Sequence, residues 1–286
     1  NAARVLFELD QLYKTMGMSH KKRSEFLKSN FELVKKRDDL YTEFITLKNN
    51  LGNYEEALNL LAERKFHPWE GGEGKVTSQY IFANLELAKE KIKSGSYQDA
   101  LDLLKKSKNY PANLGEGKLP IAKENDIDYY IALSYQKLGK KKEAKKYFEK
   151  AAVGSDDLGD MMYYNDQPAH MVLYQGLALK ELDKEKEAWS NFNQLYDYGE
   201  KHLFDEVEID YFAVSLPDFL VFDADLKEKN RAHCRYLMGL GLIGLGKRDL
   251  AKKEFDLVKK IDLNYQGIKR KYLTLWLIIF VNIEKL

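Results

Sequence analysis

The sequence predicts an all-α chain, a solenoid of about six helix-turn-helix units with long loops on one edge and a C-terminal helix. Three observations predict it. A turn residue followed by Ala and then a large apolar residue recurs along the chain at fixed internal spacing. The distance between copies matches or exceeds one helical hairpin repeat. Proline is scarce, at 5 in 286 residues, while Leu, Lys, Glu and Ala abound, which favours helix over sheet.

The copies, in order, are Gly17–Lys22–Phe26, Gly52–Ala57–Leu61, Gly95–Ala100–Leu104, Gly139–Ala144–Phe148, Asp183–Ala188–Phe192 and Gly246–Ala251–Phe255. The first is degenerate and the fifth has Asp in place of Gly. Glycine ends a first helix because it tolerates the left-handed conformation. The next two residues stand at i and i+4 and so share one face of a second helix. A small residue there admits the paired helix closely, and a large one fills the groove beside it. Upstream of the turns, Tyr129, Ala132 and Tyr135, then Tyr174, Leu177 and Leu182, then Leu237, Leu240 and Leu245 mark the first helix of a pair. Each unit reads as helix A, tight turn, helix B.

At these residues the chain resembles the tetratricopeptide repeat family. The 34-residue stretch from Asn125 matches best, with Ala132, Tyr135, Gly139, Ala144, Phe148 and Ala151 at the family's characteristic positions. The family's helix-A Trp is replaced by Tyr41, Asn84, Asp128, Val172 and Arg235. The resemblance runs from about Ala3 to Gly267. It implies a single superhelical domain over residues 3–286. Asn1-Ala2 reads as the scar of a cleaved tag, and the chain as a fragment of a longer protein.

The anchors are spaced by 35, 43, 44, 44 and 63 residues. The A-to-B turns stay short, so the excess falls in B-to-A connectors, which leave a solenoid on one edge. Insertions gathered on one face often mark the binding face. The first long connector carries His67, Pro68, Trp69, Glu70, Glu73 and Lys75, the second Pro111, Glu116 and Lys118. Gly72-Glu73-Gly74-Lys75 repeats as Gly115-Glu116-Gly117-Lys118, an offset of 43 residues. Regular stacking would set these two loops side by side, about 10 Å apart. The third connector holds Tyr163, Tyr164, Asn165 and Asp166, and the fourth Tyr211 and Asp218. Long aromatic loops in a compact domain are commonly functional. Together the strings HPWEGGEGK, YPxNLGEGK, YYNDQP and DYFAVSLPDF resemble the repeat region of a group of bacterial proteins. In that group an N-terminal mutarotase-like β-sandwich of uncharacterised function precedes the repeats. The resemblance implies a link to carbohydrate metabolism through that sandwich, and leans toward the bacterial cytoplasm.

Several chemistries fail at the residue level. Gly-Glu-Gly-Lys is not a phosphate-binding loop, because Trp69 stands at the first Gly position and Val76 where Ser or Thr would bind magnesium. The five histidines show no metal-ligand spacing, so neither metal nor cofactor is expected. The lone Cys234 reads as a small buried hydrophobe. Lys plus Arg number 46 against 45 Asp plus Glu, which gives no reason to expect nucleic acid. The basic run from Lys140 to Lys146 reads as a solvated face. Seven apolar residues from Leu275 cannot span a bilayer, which needs about 20.

The expectation is therefore a non-catalytic scaffold whose groove and decorated edge bind a protein partner or its own sandwich domain. The alternative is a carbohydrate-binding or carbohydrate-processing surface completed by that sandwich, with Trp69, Tyr163 and Tyr164 beside Glu73 and Glu116. Against it, Glu73 and Glu116 can equally cap the Gly-rich turns or pair with Lys75 and Lys118. The apolar segment Leu273–Leu286 could cap the solenoid, dock a domain or pair with a second copy.

Overall fold

The turn residues decide the architecture. In the computed structural model, which describes residues 2–155, 157–158, 167–206 and 225–270, the described residues form thirteen α-helices and no strand. In chain order they are α1 (Ala2–Thr15), α2 (His20–Ser29), α3 (Phe31–Val34), α4 (Asp38–Asn50), α5 (Tyr54–Ala62), α6 (Lys75–Lys93) and α7 (Tyr97–Ser107). Then come α8 (Asn125–Lys137), α9 (Lys141–Ala151), α10 (Met171–Glu181), α11 (Glu185–Lys201), α12 (Leu226–Gly244) and α13 (Arg248–Ile261).

All six anchor turns adopt positive φ, and Asp183, at +60°, is the only non-glycine among the described residues to do so. The turns share one hydrogen-bond pattern. Gly139 N–H donates to Gln136 O at 3.0 Å and Lys140 N–H to Tyr135 O at 2.9 Å. Asp183 and Lys184 repeat this onto Lys180 and Leu179. The paired bonds satisfy carbonyls that a helix end leaves open, and they aim the next helix back antiparallel.

The first copy departs from the expected register. Helix B starts two residues after the turn glycine in the later copies, but α2 starts three after Gly17. The extra residue is Ser19, whose hydroxyl caps the helix by accepting from Lys22 N–H. Lys22 is therefore exposed, and Arg23 and Leu27 hold the buried places expected for Lys22 and Phe26.

The described chain divides into two compact units. The first comprises residues 2–87 and 106–118; the second comprises residues 88–105, the described residues between 119 and 206, and 225–270. In the first, a buried charge network joins three helices. Arg23 donates two hydrogen bonds to Asp10 of α1, at 3.0 and 2.6 Å, and one to Glu43 of α4 at 2.6 Å. Lys14 flanks Glu43 at 3.3 Å. Burial works against the Glu43 carboxylate, but Lys14 and Arg23 outweigh it and bring its pKa down to about 2.

The second unit is held by aromatic rings and small residues. Helix α10 packs against α8, α9, α11 and α12. Phe192, fully buried on α11, is walled by Gly176 of α10 and Gly244 of α12. A Cβ on either glycine would fall within 2.3 Å of its ring. The same fit recurs between Gly239 of α12 and Phe255 of α13. Gly176 and Gly239 sit in helix interiors, where Ala is intrinsically better, and Gly244 ends α12; ring volume, not backbone freedom, requires them.

Candidate functional site

Both glycine-rich connectors lie in the first unit, and they touch. Phe66 N–H donates to Asn113 O at 2.7 Å. Gly115 packs against the Phe66 carbonyl so closely that a Cβ would lie 2.7 Å from its oxygen. The Asn113 amide donates to the carbonyls of Leu61 and Arg64, both at 2.8 Å, and so closes the C-terminal end of α5.

Glu116 reaches back across the two loops. Its oxygens accept from Gly74 N–H at 3.0 and 3.1 Å and from the Thr77 hydroxyl at 3.2 Å. The carboxylate thus sits at the N-terminus of α6, where backbone dipoles favour negative charge. A phosphate would take that place in a nucleotide-binding loop. Here the protein's own carboxylate fills it.

The other predicted residues surround this strut. Asp38, at the start of α4, pairs with Arg64 and accepts from the His67 amide at 3.0 Å. It also lies 3.3 Å from His67 Nδ1, while the imidazole stays 75% exposed. The Arg64 guanidinium lies over Tyr41, 4.8 Å from the ring centroid. Trp69 is half-buried because its indole folds over Gly72, whose amide donates to the Trp69 carbonyl at 3.0 Å. Glu73 is exposed, and Lys75 opens α6 with its amide on the Gly72 carbonyl. Lys118 is exposed, its Nζ 3.5 Å from the Lys108 carbonyl. Tyr163, Tyr164, Asn165, Asp166, Tyr211, Asp218 and Leu273–Leu286 lie outside the described residues.

The second unit contains a polar site that the sequence did not signal. Asp126, the second residue of α8, is 1% exposed. One oxygen accepts from Ile127 N–H at 2.8 Å; the other accepts from Arg270 Nη1 at 3.2 Å and lies 3.8 Å from His170 Nε2. That last separation is too long for a hydrogen bond, and Nε2 has no hydrogen-bond partner among the described residues. Burial opposes the charge on Asp126, but His170 and Arg270 prevail and lower its pKa to about 2. Burial, then Arg270, push His170 down to about 4 against the pull of Asp126, so the imidazole is neutral at pH 7. Tyr129 and Tyr130 of α8 and Tyr174 of α10 pack beside the site with centroids 5.6–5.8 Å apart. Lys89, buried, covers the Tyr130 ring at 5.2 Å.

Arg270 arrives on the segment that follows α13. Tyr265 O–H meets His233 Nδ1 at 2.9 Å, and its ring packs on Tyr236 at 5.0 Å. Gly267 lies against the same two tyrosines. The segment thus touches α12 at Tyr265 and α8 at Arg270. A hydrophobic period reveals neither contact, because the partners are polar and Asp126 and Arg270 stand 144 residues apart. Among the described residues, no group of three or more His, Cys, Asp or Glu is placed to hold a metal ion, and no helix is long and apolar enough to cross a membrane.

Among the described residues, the fold and these sites define an all-helical arrangement of serial helix-turn-helix pairs, with a polar strut of loops in the first unit and a buried carboxylate site at Asp126 in the second. No protein-family model matches the chain.

Proposed function

We propose that this chain is a tetratricopeptide-type α-solenoid that acts as a non-catalytic scaffold, and that its partner is a protein domain, foremost a mutarotase-like β-sandwich of its own polypeptide. The observation that carries the reading is the sixfold recurrence of one turn. Every anchor takes positive φ and directs two antiparallel helices, the unit from which repeat scaffolds are stacked. The loop chemistry supports the same reading. Glu116, which an acid–base mechanism on a sugar would need free, has both oxygens committed to Gly74 and Thr77. Asn113 and Asp38 are likewise engaged within the loops. What remains outward on this edge is His67, Glu73, Lys118 and part of Trp69, a surface suited to contact.

The test is thermal unfolding of the chain with the sandwich domain supplied in trans and, separately, with a panel of oligosaccharides. Saturation at 100 times Kd adds about 2.7 kcal/mol. The scaffold reading expects that gain with the domain and none with sugars. A gain with a sugar that disappears in Trp69→Ala would replace it with the carbohydrate reading.

A further inference from the structure

The segment 262–270 is held unlike the helices beneath it. None of the residues in its 3-10 turn, Gln266–Lys269, is buried, whereas α12 below buries eleven. Asp262 N–H holds the start of the segment to Val258 O at 2.8 Å, but the bonds beyond it are long: Tyr265 to Asp262 and Ile268 to Tyr265 at 3.3 Å, Arg270 to Gly267 at 3.2 Å. Two of its side-chain attachments stand five residues apart, Tyr265 on His233 and Tyr236, and Arg270 on Asp126. Half-buried residues and long backbone bonds place such a segment toward the low-stability end of a fold.

The receiving end is the opposite. Asp126 is almost wholly buried, and its second oxygen is already fixed by Ile127 N–H. It stays ionised; among the described residues the basic side chains within ion-pair distance of it are Arg270 and His170, the latter neutral at pH 7, with the buried Lys89 acting on His170 from farther off. A buried carboxylate stripped of its cation is strongly unfavourable. Release of Arg270 into solvent is therefore disfavoured, while its exchange for another guanidinium leaves the charge balance unchanged. The guanidinium fork suits a carboxylate in a way that lysine's ammonium does not.

We infer that Asp126 and His170 form a receptor for an arginine side chain, that Tyr265–Arg270 is its intramolecular ligand, and that a partner segment bearing an aromatic hydroxyl five residues before an arginine displaces it. This rests on the scaffold reading and names the chemistry by which the scaffold takes its protein partner. The segment is then a strap that closes the site until the partner arrives, and His233 with Tyr236 reads the aromatic half of the signal.

The probe is a fluorescent peptide with the sequence of residues 262–270, added to the full chain. Anisotropy should show at least tenfold tighter binding to the Tyr265→Ala/Arg270→Ala double variant than to the unaltered chain. Binding should be lost with a peptide carrying citrulline for arginine, and in the double variant with Asp126→Asn added. Equal affinity for both chains, no binding, or indifference to citrulline overturns the inference. If the double variant fails to fold, hydrogen exchange on the unaltered chain decides: excess arginine peptide should speed exchange of the amides 265–270 and citrulline peptide should not, and equal rates overturn it. A dimer that forms with rising concentration and is lost in Arg270→Ala would also overturn it, by giving the site to a second copy. Failure of the peptide leaves the sandwich-domain test of the scaffold standing on its own, so the two readings fail separately.

Discussion

The two units use the same turn but different cement. In the first, helices are joined by charges: Arg23 between Asp10 and Glu43, Asp38 holding Arg64 and the His67 amide, Glu116 on the Gly74 amide. In the second, they are joined by shape: Phe192 between Gly176 and Gly244 and three packed tyrosines, with a buried ion pair at Asp126. The backbone program is therefore independent of what fills the space between helices. A left-handed residue and its two hydrogen bonds suffice to fold the pair; ions or rings then fix it.

The contrast is broken most severely at Arg23. Replacing it with Met leaves Asp10 buried without its cation and Glu43 with Lys14 alone, and should cost roughly 3–5 kcal/mol in denaturant unfolding. An effect within the noise of the extrapolation would mean the network is dispensable. The second unit should instead show its weakness in acid. His170 is held at about 4 in the fold against 6.5 as its ordinary value. A histidine with a depressed native pKa lends stability that is whole above its unfolded pKa. That stability is lost as pH falls through the native value. Roughly 3 kcal/mol should therefore disappear between pH 6.5 and 4, with the Asp126 contribution following toward pH 2. In His170→Gln the upper part of this slope should flatten; an unchanged slope would remove His170 from the account.

Shape is probed at Gly176. Gly176→Ala gains helix propensity but drives a methyl into Phe192, and should cost about 1–3 kcal/mol. Adding Phe192→Leu should return part of it, and a strictly additive pair would exclude the proposed contact. The smallest effect is at Asp183, where Gly should stabilise by roughly 0.5–1 kcal/mol by relieving positive φ. A loss there would show that the Asp side chain earns its place.

These residues also show how far the sequence could be read. The six turns were legible, Asp183 included, because a left-handed stop is a local property and leaves a local mark. The slip at Gly17 was not, although Ser19 was its signal: a hydroxyl cap lengthens the turn by one residue and rotates every later side chain. Shared spacing put the two glycine-rich loops side by side at about 10 Å; the structure brings them closer, into direct hydrogen bonds from Phe66 N–H to Asn113 O and from Gly74 N–H to Glu116. The commitment of Glu116 to Gly74 remained one of two open readings, since capping and catalysis ask for the same residue type. The site around Asp126 could not be found by pattern. Asp126, His170 and Arg270 lie far apart in sequence, and charged residues in such a chain ordinarily face water.

The clasp of Asn113 and Glu116 has a practical bearing on how the protein can be cut. Both side chains belong to the loop after α7, yet they finish α5 and begin α6, elements already laid down before it. The pieces overlap like roof tiles, each pinned by the next. A shortened protein ended neatly at Ser107 would keep every helix through α7 and still leave the end of α5 and the start of α6 unsealed. A cut that spares the clasp has to fall beyond Lys118, inside what looks from the sequence like the middle of a linker, and it parts residues 88–105 from the unit they belong to.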